Sequence, residues 1–453
     1  MHRGKALSLA HGRPQAGVCF RSTGLENAAR AAWELLKTCR IIFISFSHLA
    51  ERSYITMVYQ FSDRMATLQP SLIREILKST SDPSVISFAA GNPAPDAFPV
   101  ADVQRIAAEI LAEQPIMALQ YSVTEGYMPL RDACKKLLET HYGIPMRDNE
   151  LIIISGAQQG ADLTAKALVN EGDTVLCEDP SFIGCLNCFR SYNCNLVGVE
   201  MEPDGVNLEK LEQAMREQPN VKLFYMIPNF QNPSGITASL EKRKAVLRLA
   251  EKYNVLILED NPYGDLRCSG EPVPSIKSFD ESGAVIYVGS FSKLLAPGIR
   301  VGFVAAPKPL IAKMTVGKQC SDVHTNMLAQ MICERWLTTC DVEAHIHKIQ
   351  EIYKRKCSLM LDCIKKEFSP AVSYTVPEGG LFVWCTLPEG ADMMAFCNRA
   401  VEKKVAIVPG SAFLADQTAP CRAFRLNFST PTDQAIVKGI EILGQLTREW
   451  YPA

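Results

Sequence analysis

Lys293 is flanked by the residue types that a phosphorylated carbonyl compound would need. It lies in SFSKLLAPGIRVG (290–302), with Ser290 and Ser292 before it and Arg300 after it. Hydroxyls and a guanidinium bind phosphate, and an amine at that place can form an imine. Taken alone, a lysine in a loop is an ordinary solvated charge. Three other segments change that reading. SGAQQG (155–160) follows an apolar run and opens a helical pattern, so its backbone N–H groups can face an anion. It has neither the spaced glycines of a dinucleotide fingerprint nor the Gly-Lys-Ser/Thr of a P-loop. PNFQNPSG (228–235) brings the amide of Asn232 to a turn, and EDNPY (259–263) sets the carboxyl of Asp260 three positions from the phenol of Tyr263.

These residues need a frame that aligns the ends of separate strands. Short apolar runs (151–154, 174–177, 223–227, 255–258, 285–288 and 302–305) alternate with amphipathic helical patterns. That alternation predicts an α/β domain with a mostly parallel sheet covered on both faces, over residues 120–335. Each of the four segments falls just after a strand, the side on which open α/β sheets bind ligands. From 336 to 453 a long helix (342–367) precedes short strands and another helix, which predicts a smaller α+β domain. Residues 57–119 are assigned to an N-terminal arm and part of that smaller domain.

Taken together, SGAQQG, PNFQNPSG, EDNPY and SFSKxxxPGxRxG resemble the class I/II, fold type I, pyridoxal-phosphate-dependent aminotransferases. The downstream segments VPEGGLFVW, VPGSAF and FRLNFS continue the resemblance to the end of the chain. Within the family, the chain resembles the kynurenine/2-aminoadipate aminotransferase group and its microbial relatives. The resemblance implies a large seven-stranded-type sheet domain, a smaller domain, and a homodimer with shared active sites. It makes Lys293 the lysine that bonds the cofactor and moves the substrate proton. Asp260 would pair with the pyridine nitrogen, and Tyr263 and Asn232 with the ring 3-oxygen. Ala157, Gln158, Ser290, Ser292 and Arg300 would surround the phosphate. Phe182 would stack on the ring, where relatives often carry tyrosine, and Tyr121 would reach the phosphate of the neighbouring subunit. Arg425 would bind the substrate α-carboxylate, joined on the substrate side by Asn232, Gly91 and Arg74. Arg74 reads equally well as a surface charge.

The implied reaction moves the amino group of an α-amino acid (aromatic, 2-aminoadipate-like or branched-chain) to a 2-oxo acid such as 2-oxoglutarate. A C–S β-lyase of the same fold would share every cofactor contact and is the alternative. A DNA-binding regulator with an aminotransferase-like sensor domain needs a winged helix ahead of the core, and no such pattern is visible in residues 1–56.

Composition sets outer limits. The 453 residues are 47% hydrophobic and 21% charged with net charge −2, so no nucleic-acid partner is expected from bulk charge. No apolar run approaches the ~18 residues of a membrane span. Residues 1–56 hold eight Lys or Arg against three acids, net +5, and the other 397 residues are net −7. That segment reads as an extended start or a targeting segment and is left out of the fold. The cytoplasm is the expected location, or the mitochondrial matrix if 1–56 is a transit peptide. Sixteen scattered cysteines suit reduced thiols, and Cys185-x-x-Cys188 lacks the second half of a zinc site, so no metal is expected. His345 and His347 read as surface residues of a helix, and Phe382 and Trp384 as core packing on a strand.

Overall fold

The computed structural model describes residues 59–66, 68 and 82–452. The leader 1–56 and Arg74 lie outside the described residues. The chain divides into two units, 1–67 and 68–453. In the first, the described residues include one helical turn, Asp63–Ala66.

The second unit is built on two main sheets. In chain order the strands are β1 (Ile86–Ser87), β2 (Asn149–Ile154), β3 (Thr174–Asp179), β4 (Asn195–Glu202), β5 (Gly205–Val206), β6 (Val221–Met226), β7 (Leu256–Asp260), β8 (Val285–Ser290), β9 (Gly302–Pro307), β10 (Ser373–Tyr374), β11 (Phe382–Thr386), β12 (Val405–Ala406), β13 (Val408–Pro409) and β14 (Ala423–Asn427). The large sheet has the order β2-β9-β8-β7-β6-β3-β4-β5. Its central pairs β8–β7, β7–β6, β6–β3 and β3–β4 are parallel, and β9 runs against both of its neighbours. Seven strands were expected; the eighth, β5, is a two-residue antiparallel return on the edge strand β4. Strands covered on both faces read as unbroken apolar runs, as Leu151–Ile154 and Val285–Val288 do, and all eight of these residues are buried.

The small sheet has the order β10-β11-β14-β13 and is antiparallel. The described stretch 82–119 is shared between the two layers. Its strand β1 pairs with β12 beside the small sheet. Its helix Val100–Glu113 buries Ile106 and Ile110 in the cluster that holds Ile153 and Trp336, on the large-sheet side.

Caps set the helix starts. Ser239 accepts from the N–H of Lys242, Asp341 from Ala344, Asp392 from Ala395 and Thr432 from Ala435. Helix Val342–Glu367 leaves Asp341 on the large-sheet side and packs along helix Asp433–Trp450. His345 on this helix is half-buried rather than on the surface. Its Nε2 lies 2.8 Å from the carbonyl of Leu294, and its ring meets Trp336 edge-on. Among the described residues no helix is long and apolar enough to cross a membrane.

Candidate active site

The ends of β2, β6, β7 and β8 converge with the segment 89–92 and with β14. Lys293, three residues past β8, donates from Nζ to the carbonyl of Gly91 at 2.6 Å. A Cβ on Gly91 would stand 3.2 Å from Cζ of Phe382, so glycine lets this backbone approach closely. Burial first, then repulsion from Arg425 and Arg300, lowers the Lys293 amine to about 8. A neutral amine is therefore accessible near neutral pH.

Asp260 ends β7 and is buried. Burial raises its carboxyl to about 7, and the hydroxyl of Tyr225, donating to Oδ2 at 2.9 Å, works in the opposite direction. Its Oδ1 is buried without a hydrogen-bond partner. Tyr263 and Asn232 face each other, with Nδ2 of Asn232 donating to the phenol oxygen at 3.4 Å. Burial pushes the Tyr263 phenol well up, so it stays protonated.

Arg425, on β14, is 2% exposed. It donates to Oδ1 of Asn232 at 2.8 Å and to the carbonyl of Ala89 at 2.7 Å, while its Nε has no partner. The guanidinium lies 4.2 Å from the ring centre of Phe382 and 4.9 Å from that of Phe413. Burial lowers it only to about 10, so it keeps its charge. Phe382 is thus both buried, as expected of core packing, and a wall of the site. Trp384, its neighbour but one on β11, sits directly opposite Arg425 in the β11–β14 register.

Helix Ala157–Leu168 begins at Gly156, whose φ is 87°. Arg300 bridges to this start, donating to the carbonyl of Ser155 at 3.2 Å and to the hydroxyl of Ser292 at 3.4 Å. The N–H of Ser292 bonds the hydroxyl of Ser290 at 3.1 Å. A Cβ on Gly156 would fall 2.1 Å from Nη2 of Arg300. Gln158 donates its side chain to the carbonyl of Gly184, tying this helix to the one that Phe182 precedes. Sequence reasoning did not single out Asp322, which accepts from Ser155, Gln159 and the buried Lys318 beside the cradle. Substituting Gly156→Ala combines an unfavourable φ with that collision, and should weaken cofactor affinity about tenfold or more. An absorbance titration of cofactor-stripped protein measures this.

Three features fit pyridoxal phosphate. Asp260 Oδ1 is an unpaired buried acceptor for a ring N–H. The helix start with Ser290, Ser292 and Arg300 offers the N–H, hydroxyl and guanidinium donors that a phosphate would take. Lys293 brings an amine to the carbonyl of Gly91, 6.0 Å from the ring centre of Tyr263. The class I and II aminotransferase profile matches residues 83–443. The chain belongs to the class I and II aminotransferases. It is a pyridoxal-phosphate-dependent transaminase with a fold type I architecture. This aminotransferase is 41% identical to aromatic-amino-acid aminotransferase 1 of Thermococcus litoralis over 393 residues, covering 86% of this chain and 94% of the relative. It is 37% identical to 2-aminoadipate transaminase of Thermus thermophilus over 389 residues, covering 85% and 96%. The solved Pyrococcus horikoshii kynurenine aminotransferase superposes with TM-score 0.84 at 38% identity, covering 87% of this chain and 98% of that one. The C–S lyase alternative gains no support from these relatives.

Sequence reasoning also passed over Glu178. It is fully buried; Oε2 accepts from the N–H of Ile227 and from Gln231, and Oε1 has no partner. Burial raises it to about 8. Between the ordinary carboxyl value and about pH 8 the folded enzyme therefore binds more protons here than the unfolded chain, and stability falls as pH rises. Glu178→Gln removes that dependence. Its urea midpoint relative to the parent should climb between pH 5 and pH 8.5, and a flat difference would refute the assignment.

Proposed function

We propose that this aminotransferase takes its amino group from an aromatic, 2-aminoadipate-like or branched-chain α-amino acid and passes it to a 2-oxo acid such as 2-oxoglutarate. The observation that carries the reading is Arg425. It is a buried cation with a free Nε, held between two aromatic rings and close to Lys293, which suits an α-carboxylate beside an apolar or long side chain. The relatives named above act on aromatic substrates, 2-aminoadipate and kynurenine, which supports the same range.

When bound, pyridoxal phosphate supplies an electron-withdrawing ring that accepts the electron pair left on the substrate Cα. The chain does the rest. Arg425 fixes the carboxylate and so orients the Cα–H bond. Lys293 removes that proton and carries it, and its lowered proton affinity suits both directions. Asp260 would hold negative charge against the ring nitrogen. Asn232 and Tyr263 would bond the ring 3-oxygen, and Asn232 also braces Arg425. The residue roles assigned from the resemblance, Phe182 and Gly91 included, belong to this proposal.

We further infer a homodimer. Ile116, Leu119, Tyr121, Val123 and Met128 form an exposed apolar stretch, with Tyr121 82% exposed, as a residue reaching into a second copy would be. The division into large (120–335) and small (336–453) domains is part of the same reading. So is a cytoplasmic location, which suits the fourteen free cysteines among the described residues. A donor panel tests the substrate range. Mixing enzyme with each amino acid alone should convert the cofactor to its amine form for aromatic, 2-aminoadipate or branched-chain donors. Conversion by none of them would refute the range. Pyruvate and ammonia from cystathionine without an oxo acid would indicate a lyase instead.

A further inference from the structure

Asp260 has a buried protein partner, Tyr225, that has no role in the mechanism above. Tyr225 is fully buried on β6, in a strand whose neighbours Leu223, Phe224 and Met226 are apolar. Its hydroxyl donates to Oδ2 of Asp260 across 35 positions of sequence. Oδ1 of the same carboxyl is equally buried and has no partner among the described residues. One oxygen of Asp260 is thus committed to the protein and the other is not.

We propose that Tyr225 is the positioning residue of Asp260: by holding Oδ2 it turns Oδ1 toward the ring nitrogen of the cofactor and keeps the carboxyl ionised for that contact. The inference rests on reading the site as a pyridoxal-phosphate transaminase.

The surroundings leave Tyr225 with this task. The groups facing Asp260 are Glu178 on β3, Cys185 on helix Ile183–Arg190, Tyr263 just past β7 and Tyr287 on β8. None of them carries a positive charge. Burial favours the neutral carboxyl, and the phenol's hydrogen bond is what opposes it. Without that bond the shared proton moves from the ring to Asp260, and the ring loses its positive charge. A nearby positive charge lowers the proton affinity of the lysine-linked cofactor nitrogen, so losing it raises that affinity.

The test compares Tyr225→Phe with the parent holoenzyme. The pH midpoint of the visible absorption band of the lysine-linked cofactor should rise by about one unit. The kcat should fall about tenfold with KM little changed, the size expected for losing a hydrogen bond to a charged group. Both enzymes are then rebuilt with a cofactor analogue bearing CH in place of the ring nitrogen. There the two midpoints should coincide. An unmoved midpoint with the natural cofactor, or an equal shift with both cofactors, would overturn the proposal, because a purely structural role cannot depend on the ring nitrogen. Should Tyr225→Phe fail to fold, 3-fluorotyrosine placed at 225 keeps the hydroxyl and donates more strongly. It should lower the midpoint, and no change there refutes the idea. A parent enzyme that never shows the lysine-linked band would instead overturn the transaminase reading beneath it.

Discussion

Replacing Lys293 with alanine should reduce turnover on the order of 10⁴-fold or more, the upper range for a positioned acid–base group. The variant should also lose the absorbance of the covalently held cofactor, since on the proposed reading the Lys293 Nζ, 6.0 Å from the ring centre of Tyr263, is the amine that bonds it. The fold should survive. Among the described residues Lys293 makes one hydrogen bond, to the carbonyl of Gly91, and forms no ion pair. Burial opposes its charged form, so a neutral methyl group relieves a cost as well as removing a contact. Cofactor should still bind through Asp260, Asn232, Tyr263 and the phosphate cradle. Single-turnover kinetics with an amino donor, paired with a urea titration, separate these outcomes. Turnover within tenfold of the parent would refute the assignment of Lys293.

Arg425→Ala should have the second largest effect. A buried, hydrogen-bonded charge pair costs about 2–5 kcal/mol when one partner is truncated, or roughly 30- to 5,000-fold in kcat/KM. The loss should fall equally on the amino acid and on the oxo acid, because both present the same carboxylate. Cofactor affinity should change little, and that contrast separates substrate recognition from a general collapse of the site. Arg425→Lys should rescue poorly. A lysine cannot bond Asn232 and Ala89 while keeping a planar fork for the substrate, nor present a planar cation to the rings of Phe382 and Phe413. A full rescue by lysine would show that charge alone suffices at this position.

Much of this site was legible because its residues sit at strand ends. Apolar runs of strand length mark where the chain must emerge from the sheet. The residues just beyond, Asp260 after β7 and Lys293 after β8, then have one side on which to act. Tyr225 and Glu178 were not legible, because both lie inside apolar strands where a phenol or an acid carries no periodic signal. Their importance comes from which side chain faces them across the sheet, through parallel pairings of β6 with β7 and β3 with β6. Phe382 was half legible: alternation placed it in a core, but the meeting of β11 with β14 that sets it under Arg425 is a long-range pairing. Local pattern likewise does not say which layer a helix such as Val100–Glu113 will cover.

The pairing of β1 with β12 has a consequence for biosynthesis. The strand that leads into Ala89 and Gly91 is translated early, yet its ladder partner, Val405–Ala406, is among the last strands to leave the ribosome. The stretch between Ser155 and Arg300 acquires its own parallel neighbours long before that. On the proposed reading, a nascent chain can therefore assemble the hold on the cofactor first, while the segment offered to the substrate waits unpaired for the carboxyl end. Recognition of the amino acid would then be the last part of the site that translation completes.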